Sequence, residues 1–491
     1  MDLPAEIFSV ASVRNIDRAA IDNEGISGYT LMTRAGQAAV DAALNRFPDA
    51  RRWQIVCGGG NNGGDGYVVA RLAAERGLAV SVLALTPPDS LSGDAATAFM
   101  DFAALGGAVA VFEGSLDNEA DLLVDGLLGS GLERDLEGRF ADVVRAINSH
   151  HAPVIALDIP SGLHGDSGRI LGSGVQANLT VTFVGLKSGL FLNQGPELAG
   201  EIRFAGLDIP RSCRAGETPV MRRIDHAIVE KALPARQRNA HKGQFGHVLV
   251  IGGAAGMPGA VRLCGEAALR AGAGLVSIAT HLSHSALLPT GRPELMCHGV
   301  ASADELRPLC KRATVIAVGP GLGTDDWARQ LLDVALAAGL PLVADADALN
   351  MLAVTETRRD DWILTPHPGE AARLIGGTTA DVQADRPRAL AAVAGKFGAT
   401  VVLKGSGTLV SSATGQPWLC SAGNPGMASA GMGDVLTGII AALRAQHLSC
   451  ELAAVAGVQV HACAGDAAAR TGQRGLIASD LIGEIRHWVN P

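Results

Sequence analysis

Residues 53–66 read Trp53-Gln-Ile-Val-Cys57-Gly58-Gly-Gly-Asn-Asn-Gly-Gly-Asp-Gly66. A short apolar run breaks into glycine and then opens an alanine-rich segment, Val68 to Arg76. Apolar run, glycine turn and helix together form the repeating unit of a parallel sheet with helices on both faces. Strands of such a sheet are buried on both sides, so they read as continuous hydrophobic runs. The unit recurs at Ala79 to Leu85, Asp121 to Asp125, Val154 to Asp158 and Leu179 to Val184, with a further helical stretch at Phe140 to Asn148.

The alternation pauses around residues 206–225, where Arg211-Ser-Cys-Arg-Ala-Gly-Glu-Thr-Pro219 is polar and rich in turn formers. It restarts at Gly246 to Ile251 and continues through Gly274 to Thr280, Thr314 to Val318, Leu342 to Asp345, Trp362 to Thr365, Thr400 to Lys404 and Leu409 to Ser411. The expected organisation is two α/β domains, residues 1–215 and 225–491, joined by a linker at 216–224. The first is expected to be a Rossmann-like parallel sheet with helices on both faces.

Composition bounds the function. The chain has 491 residues, 48% hydrophobic and 18% charged, a balance too apolar for disorder. Glycine contributes 62 residues, nearly twice the usual share of about 7%, in clusters without a collagen period. Such clusters suggest backbone approaching ligands. A net charge of −9 with no basic run argues against nucleic acid or an anionic membrane as partner. Eight cysteines with no Cys-x-x-Cys spacing signal neither a zinc cluster nor a redox pair, and suit a reducing compartment. The N-terminus has acids where a secretory signal carries positive charge, and no apolar stretch approaches the ~20 residues that span a bilayer. A soluble cytoplasmic protein is expected.

Three polar loops fall at strand ends in the first half. The Gly58–Gly66 loop precedes a helix expected near Tyr67, a place where backbone amides meet anions. It contains a Gly-x-Gly-x-x-Gly spacing, but Leu85 is followed by Thr-Pro-Pro where a dinucleotide fold carries an acid, and no Gly-Lys-Ser/Thr is present. The second loop is Val124-Asp125-Gly-Leu-Leu-Gly129-Ser-Gly-Leu-Glu-Arg-Asp135, and the third is Ala156-Leu-Asp158-Ile-Pro-Ser161. Asn62, Asp125 and Ser161 offer only hard oxygen ligands, which suit a monovalent or hard divalent cation rather than zinc. Lys187 ends a further strand.

These motifs, with Val181-Thr-Phe-Val-Gly-Leu-Lys-Ser-Gly189, resemble the epimerase domain of bacterial bifunctional NAD(P)H-hydrate repair enzymes from about residue 10 to 215. The resemblance implies interconversion of the R and S epimers of hydrated NADH and NADPH. It implies potassium held by Asn62, Asp125 and Ser161. Substrate would lie along Asn61, Asn62, Gly63, Gly64 and Asp65, along Gly129, Ser130, Gly131, Leu132, Glu133, Arg134 and Asp135, and at Asp158. Asp158 is the candidate acid/base, with Lys187 as its partner.

The second half repeats the strand-to-glycine transition at Gly252 to Gly259, before a helix expected from Ala260 to Gly272, and at Gly319-Pro-Gly321-Leu-Gly323. Asp345-Ala-Asp347-Ala-Leu-Asn350 and Thr365-Pro-His367-Pro-Gly-Glu370 end the next strands. Lys404-Gly405-Ser406-Gly407-Thr408 then offers a cation, amides and a hydroxyl. Finally Asn424-Pro-Gly-Met-Ala-Ser-Ala-Gly-Met-Gly433-Asp434 leads into the apolar helix Val435 to Leu443. Glycine before a helix start makes an anion hole of N–H dipoles. An aspartate at its mouth is placed to take a proton from a hydroxyl that attacks phosphorus.

Gly-x-Gly-Asp before a helix, with Lys-Gly-x-x-Thr upstream, is similar to the ribokinase-like kinases. The remaining motifs resemble the ADP-dependent NAD(P)H-hydrate dehydratase branch from about residue 225 to 491. That implies dehydration of the S hydrate while ADP becomes AMP and phosphate, with Asp434 as base. Substrate would contact Ala260, Gly321, Gly323, His367 and Asp434. The nucleotide would contact Lys404, Gly405, Ser406, Gly407, Thr408 and Gly433. Magnesium would bridge its phosphates with Glu370 near the metal, and a homo-oligomer is expected because ribokinase-like relatives often assemble. The alternative is a ribokinase-like vitamin or sugar kinase fused to a nucleotide-binding module.

Overall fold

A computed structural model describes residues 3–355 and 357–490. The outermost bounds of the two expected domains, at 1 and 491, lie outside the described residues. The chain divides into two compact units between Met221 and Arg222. The expected linker is therefore shared out: Glu217 hydrogen-bonds Asn15 in the first unit, and Ile224 is buried in the core of the second.

The first unit is built on a seven-stranded sheet. Its strands are β1 (Arg52–Cys57), β2 (Ala79–Ala84), β3 (Val109–Val111), β4 (Leu122–Gly126), β5 (Val154–Leu157), β6 (Leu179–Phe183) and β7 (Glu201–Ala205). They lie side by side in the order 3-2-1-4-5-6-7, every neighbouring pair parallel. The two-residue period of a strand sends neighbours to opposite faces. Ile55, Val82, Val124 and Ile155 join the core with Ala35, Ala39, Val68 and Phe102, from the helices Gly28–Arg46, Asn61–Glu75 and Gly93–Ala104. Val56, Leu83, Leu123 and Val154 join the opposite core with Val143, Val144 and Ile147, from the helix Gly138–Ser149. Both faces are covered, so even polar side chains on the strands, Gln54, Thr180 and Thr182, are buried.

The second unit has β8 (Met221–Arg223), β9 (His247–Ile251), β10 (Leu275–Thr280), β11 (Met296–Gly299), β12 (Val315–Val318), β13 (Leu342–Ala344), β14 (Trp362–Leu364), β15 (Thr400–Leu403), β16 (Thr408–Ser411) and β17 (Trp418–Cys420). Their order is 11-10-9-12-13-14-15-16-17-8. The sheet is parallel through β15, and β16 pairs antiparallel with both its neighbours. The helices Pro258–Arg270, Met432–Ala445 and Cys450–Ala468 cover one face through Val261, Cys264, Val435, Ile439 and Val458.

Four expectations need correction. The helix expected near Tyr67 begins at Asn61, so Gly63 and Gly64 lie in its first turn rather than in a loop. The helix expected from Ala260 begins at Pro258, a residue whose fixed φ and missing N–H suit a first turn. The strands β3, β7, β11 and β17, of three to five residues, go unread in the sequence because such short runs do not stand out from loops. The segment Cys450–Thr471 is long and apolar enough to cross a membrane by length and composition, although 72% of its apolar window is buried inside the fold. It is apolar all round because other elements surround it. Of the eight cysteines, all free, six are buried and two are half-buried.

The helices Met432–Ala445 and Pro258–Arg270 pack so closely that a Cβ at Gly438 would stand 2.1 Å from the Cys264 carbonyl oxygen. Neither backbone can yield without disturbing a core. Gly438→Ala is expected to lower stability by roughly 1–3 kcal/mol, seen as a lower urea midpoint of tryptophan fluorescence in the full chain. An unchanged midpoint would mean the crossing has slack that the packing denies.

Candidate active sites

In the first sheet the strand order reverses between β1 and β4, the place where open α/β sheets leave a crevice outside the strand ends. A cavity of about 700 Å³ opens there. Asn61, Asn62, Asp65, Gly129, Ser130, Gly131, Leu132, Glu133, Arg134, Asp158 and Lys187 line it, so most of the expected residues meet at one place. Gly63 and Gly64 are not in its lining. A Cβ on either would strike Gly58 or the Met32 side chain, so these glycines allow close packing. Asp135 is exposed and also outside the lining.

Beneath the cavity floor, Asp125 is fully buried. Its Oδ1 accepts from the Ser161 hydroxyl at 2.6 Å and from the Leu127 amide at 3.2 Å, and its Oδ2 accepts from the Ser161 amide at 2.8 Å. Burial pushes its pKa up to about 6 against the pull of the Ser161 bonds. Asn62 packs its side chain against Gly129, with both polar atoms buried and unpartnered among the described residues. A buried amide in that state has bonding capacity that protein atoms leave unused. The donor set Asn62, Asp125 and Ser161 is all oxygen, the chemistry a weakly hydrated cation would need, and of the three only the Asn62 side chain has both its polar atoms unpartnered among the described residues.

Asp158 follows β5 with φ +67°, a left-handed conformation, and its Oδ1 accepts from the Phe183 amide at 3.3 Å. It pairs with the buried Lys187 ammonium, which also donates to the Phe183 carbonyl at 2.8 Å and the Thr182 hydroxyl at 3.1 Å. Two further acids share this cavity. Asp17 is raised to about 6 by burial, with Lys187 pulling down and Asp158 pushing up. Asp65 is raised well above the usual carboxylate range by burial and by Asp158 and Asp17. Burial thus favours the protonated form of Asp17 and Asp65 relative to exposed carboxyls. Asp17 went unnoticed in the sequence, yet a signal existed. Val13, Ile16 and Ala20 are the buried stripe of the helix Val10–Asp22, and Asp17 stands within that stripe.

In the second sheet the reversal lies between β9 and β12. Their loops are tied by the Gly253 amide to the Pro320 carbonyl at 3.0 Å and the Ala254 amide to the Gly321 carbonyl at 2.7 Å. A Cβ on Gly321 would touch that of Ala260 at 3.1 Å, so these two expected substrate residues are neighbours. The Gly323 amide donates to Asp347 Oδ2 at 2.8 Å.

Three adjacent strand ends then meet. Lys404 Nζ lies 2.6 Å from Asp345 Oδ1 and 3.8 Å from Glu370 Oε2. Asp345 is fully buried, accepts from the Thr437 hydroxyl at 2.9 Å, and is held below the usual range by Lys404 against the cost of burial. The Gly433 position faces this pair, where a Cβ would come 3.3 Å from both Asp345 Oδ2 and Lys404 Nζ. Asp434 follows in the first turn of Met432–Ala445. Burial and the neighbouring Asp345 raise it to about 7, with Lys404 opposing. A carboxylate tuned to neutral pH is suited to accept a proton.

His367 caps the helix Pro368–Ile375, its Nδ1 accepting from the Gly369 and Glu370 amides at 3.0 and 3.3 Å. Glu370 returns the bond, accepting from the His367 amide at 2.8 Å. Its carboxylate therefore completes a capping box beside Lys404. Among the described residues no group of three or more His, Cys, Asp or Glu side chains is placed to hold a metal.

Comparison with known proteins agrees with this division. Residues 28–189 match the family described as YjeF-related protein N-terminus, and residues 248–487 match the family described as NAD(P)H-hydrate dehydratase. A bifunctional NAD(P)H-hydrate repair enzyme of Coxiella burnetii is 47% identical over 486 residues, 99% of each chain. That of Escherichia coli is 41% identical over 492 residues, covering 100% of this chain and 95% of its own. Among solved structures, a hypothetical protein of Streptococcus mutans is 32% identical with a TM-score of 0.51, covering 54% of this chain and 98% of its own. A ribokinase-like superfamily protein of Enterococcus faecalis is 30% identical with a TM-score of 0.50, over 55% and 95%.

Asp434 is an acid below its raised pKa and a base above it. Turnover per unit substrate at the second site is expected to rise with pH and level off above about 7. The pH–kcat/KM profile of the wild-type chain reads this directly, and a flat profile from pH 6 to 8, as a range of about one unit either side, would remove Asp434 as the titrating base.

Proposed function

The chain belongs to the bifunctional NAD(P)H-hydrate repair enzymes, which join an epimerase domain to a dehydratase domain, and from that premise we propose how its residues divide the work. In the first domain, Asp158 and Lys187 act as the acid/base pair for reversible opening at the hydrated ring carbon: the ring C–N bond breaks as the hydroxyl proton is taken up and the nitrogen is protonated, and reclosure on the other face reverses both transfers, so that R and S hydrates interconvert. The Asp17 and Asp65 carboxyls beside them hold the proton in play. Asn62, Asp125 and Ser161 hold potassium, which supplies a fixed positive charge beside the site. Asn61, Gly129, Ser130, Gly131, Leu132, Glu133 and Arg134 bind the hydrate along the cavity wall.

In the second domain, hydroxide is a poor leaving group from the hydrated ring, whereas phosphate is a good one. Asp434 removes the proton of the S hydrate's hydroxyl as its oxygen bonds to the terminal phosphorus of ADP and AMP departs. The phosphate ester then eliminates: a proton leaves the neighbouring ring carbon, the double bond forms and phosphate is released. Lys404, Gly405, Ser406, Gly407, Thr408 and Gly433 hold the nucleotide, and Ala260, Gly321, Gly323 and His367 hold the hydrate. Magnesium would neutralise charge on the nucleotide phosphates, and Glu370, which also caps its helix and lies beside Lys404, would be the residue near it. Free, mostly buried cysteines support a reducing compartment, and we assign the enzyme to the cytoplasm as a homo-oligomer.

The observation that carries the reading is Asp434 at the start of an apolar helix, beside a buried Asp345–Lys404 pair and raised towards neutrality. A mixture of hydrated NADH epimers with ADP and magnesium tests it through the returning absorbance of reduced nicotinamide. Asp434→Asn is expected to slow recovery by at least ~10²-fold while ADP still binds, the range for loss of a general base. Asp158→Ala should leave the S hydrate recoverable and strand the R hydrate beyond its spontaneous exchange. Withholding potassium should slow only the R-hydrate phase; an equal effect on both phases would remove the cation from Asn62, Asp125 and Ser161.

A further inference from the structure

Arg386 opens the helix Arg386–Phe397 and is 3% exposed. Among the described residues it makes no ion pair. Its guanidinium instead donates to backbone carbonyls: Nη1 to Ser406 at 2.9 Å, and Nη2 to Gly407 at 3.1 Å, Leu403 at 3.2 Å and Lys404 at 3.5 Å. The remaining carbonyl of the loop, that of Gly405, accepts from the Thr408 hydroxyl at 2.8 Å. Every carbonyl from 403 to 407 is thus engaged within the protein. The amides of Gly405, Ser406 and Gly407 have no acceptor among the described residues, and Gly405 and Ser406 are exposed. A Cβ on Gly405, at φ +143°, would stand 2.6 Å from Nη1, so the guanidinium lies against the loop itself.

A peptide unit whose carbonyl points inward presents its amide the other way. One planar cation with several donors in a fixed fork orients several peptides at once, which an ammonium cannot do. Burying that cation without a carboxylate is costly, and the cost falls when an anion arrives within reach of its field. Burial alone lowers its pKa to about 10, so it keeps its charge at neutral pH.

We infer that Arg386 is the positioning residue of the dehydratase nucleotide site: it turns the carbonyls of residues 403, 404, 406 and 407 inward, aims the loop amides at the phosphates of ADP, and balances its buried charge against them without touching them. The inference rests on the reading of Lys404–Thr408 as the nucleotide loop.

Arg386→Lys and Arg386→Met in the full chain test it, with ADP and magnesium as probe. Arg386→Met should raise the KM for ADP by ~10-fold or more, the scale of lost charge-assisted hydrogen bonds. Arg386→Lys should fall between it and wild type. In Arg386→Lys the kcat at saturating ADP and the KM for the S hydrate should stay within about two-fold, which a misfolded or merely loosened domain would not allow. Hydrogen exchange of the backbone across residues 403–409 supplies the second measurement, since ADP should protect the wild-type loop and protect the Arg386→Lys loop less at equal ADP concentration. No protection by ADP in the wild type would overturn the nucleotide reading of the loop. Protection in the wild type with an unchanged KM for ADP in Arg386→Lys, or a loss of kcat alone, would overturn the role of Arg386 and leave that reading standing.

Discussion

A parallel sheet buried on both faces has no room for polar chemistry along its strands, so the chemistry is forced to the strand ends. Both sheets of this chain obey that constraint. Ile55 and Val56, side by side on β1, enter opposite cores. The polar groups of the first site appear where β1, β4 and β5 stop, at Asn62, Asp125 and Asp158. In the second unit the same rule delivers Asp345, Glu370 and Lys404 from three neighbouring strand ends. The reversal of strand order opens space beside these ends, and glycine lets the loops enter it.

The two sites handle buried charge in opposite ways. The first sets two carboxyls raised by burial, Asp17 and Asp65, beside the Asp158–Lys187 pair. An epimerisation that moves protons between heteroatoms around one carbon would use such a cluster. The second fixes its charges. Asp345 is held ionised by Lys404 and Thr437, and this settled negative charge helps push Asp434 towards neutrality. Phosphoryl transfer needs one base of suitable strength beside rigid donors, and the arrangement around Asp434 and the 403–407 loop has both.

Backbone conformation carries as much of the function as side chains do. Asp158 adopts a left-handed φ, and Gly431 does the same immediately before the helix that bears Asp434. Arg386 extends the theme, acting on peptide groups rather than on a ligand.

The sequence by itself determined the class of each sheet, most of its central strands, and the loops that would hold chemistry. Those features are local: an apolar run, a glycine break and a helix can be read within a dozen residues, and Asn62, Asp158, Lys404 and Asp434 each announce themselves beside such a break. Only the tertiary structure decided what comes from far away. Asp17 reaches the first cavity from a helix more than a hundred residues before Asp158 and Lys187, and Arg386 reaches the 403–407 loop from the start of another helix. Short edge strands such as β3 and β11 were likewise invisible, since they owe their form to one neighbour rather than to their own residues. The carboxyl of Asp434 has the same covalent structure as any other, and its basicity comes from burial and from Asp345, neither of which a linear order of residues expresses.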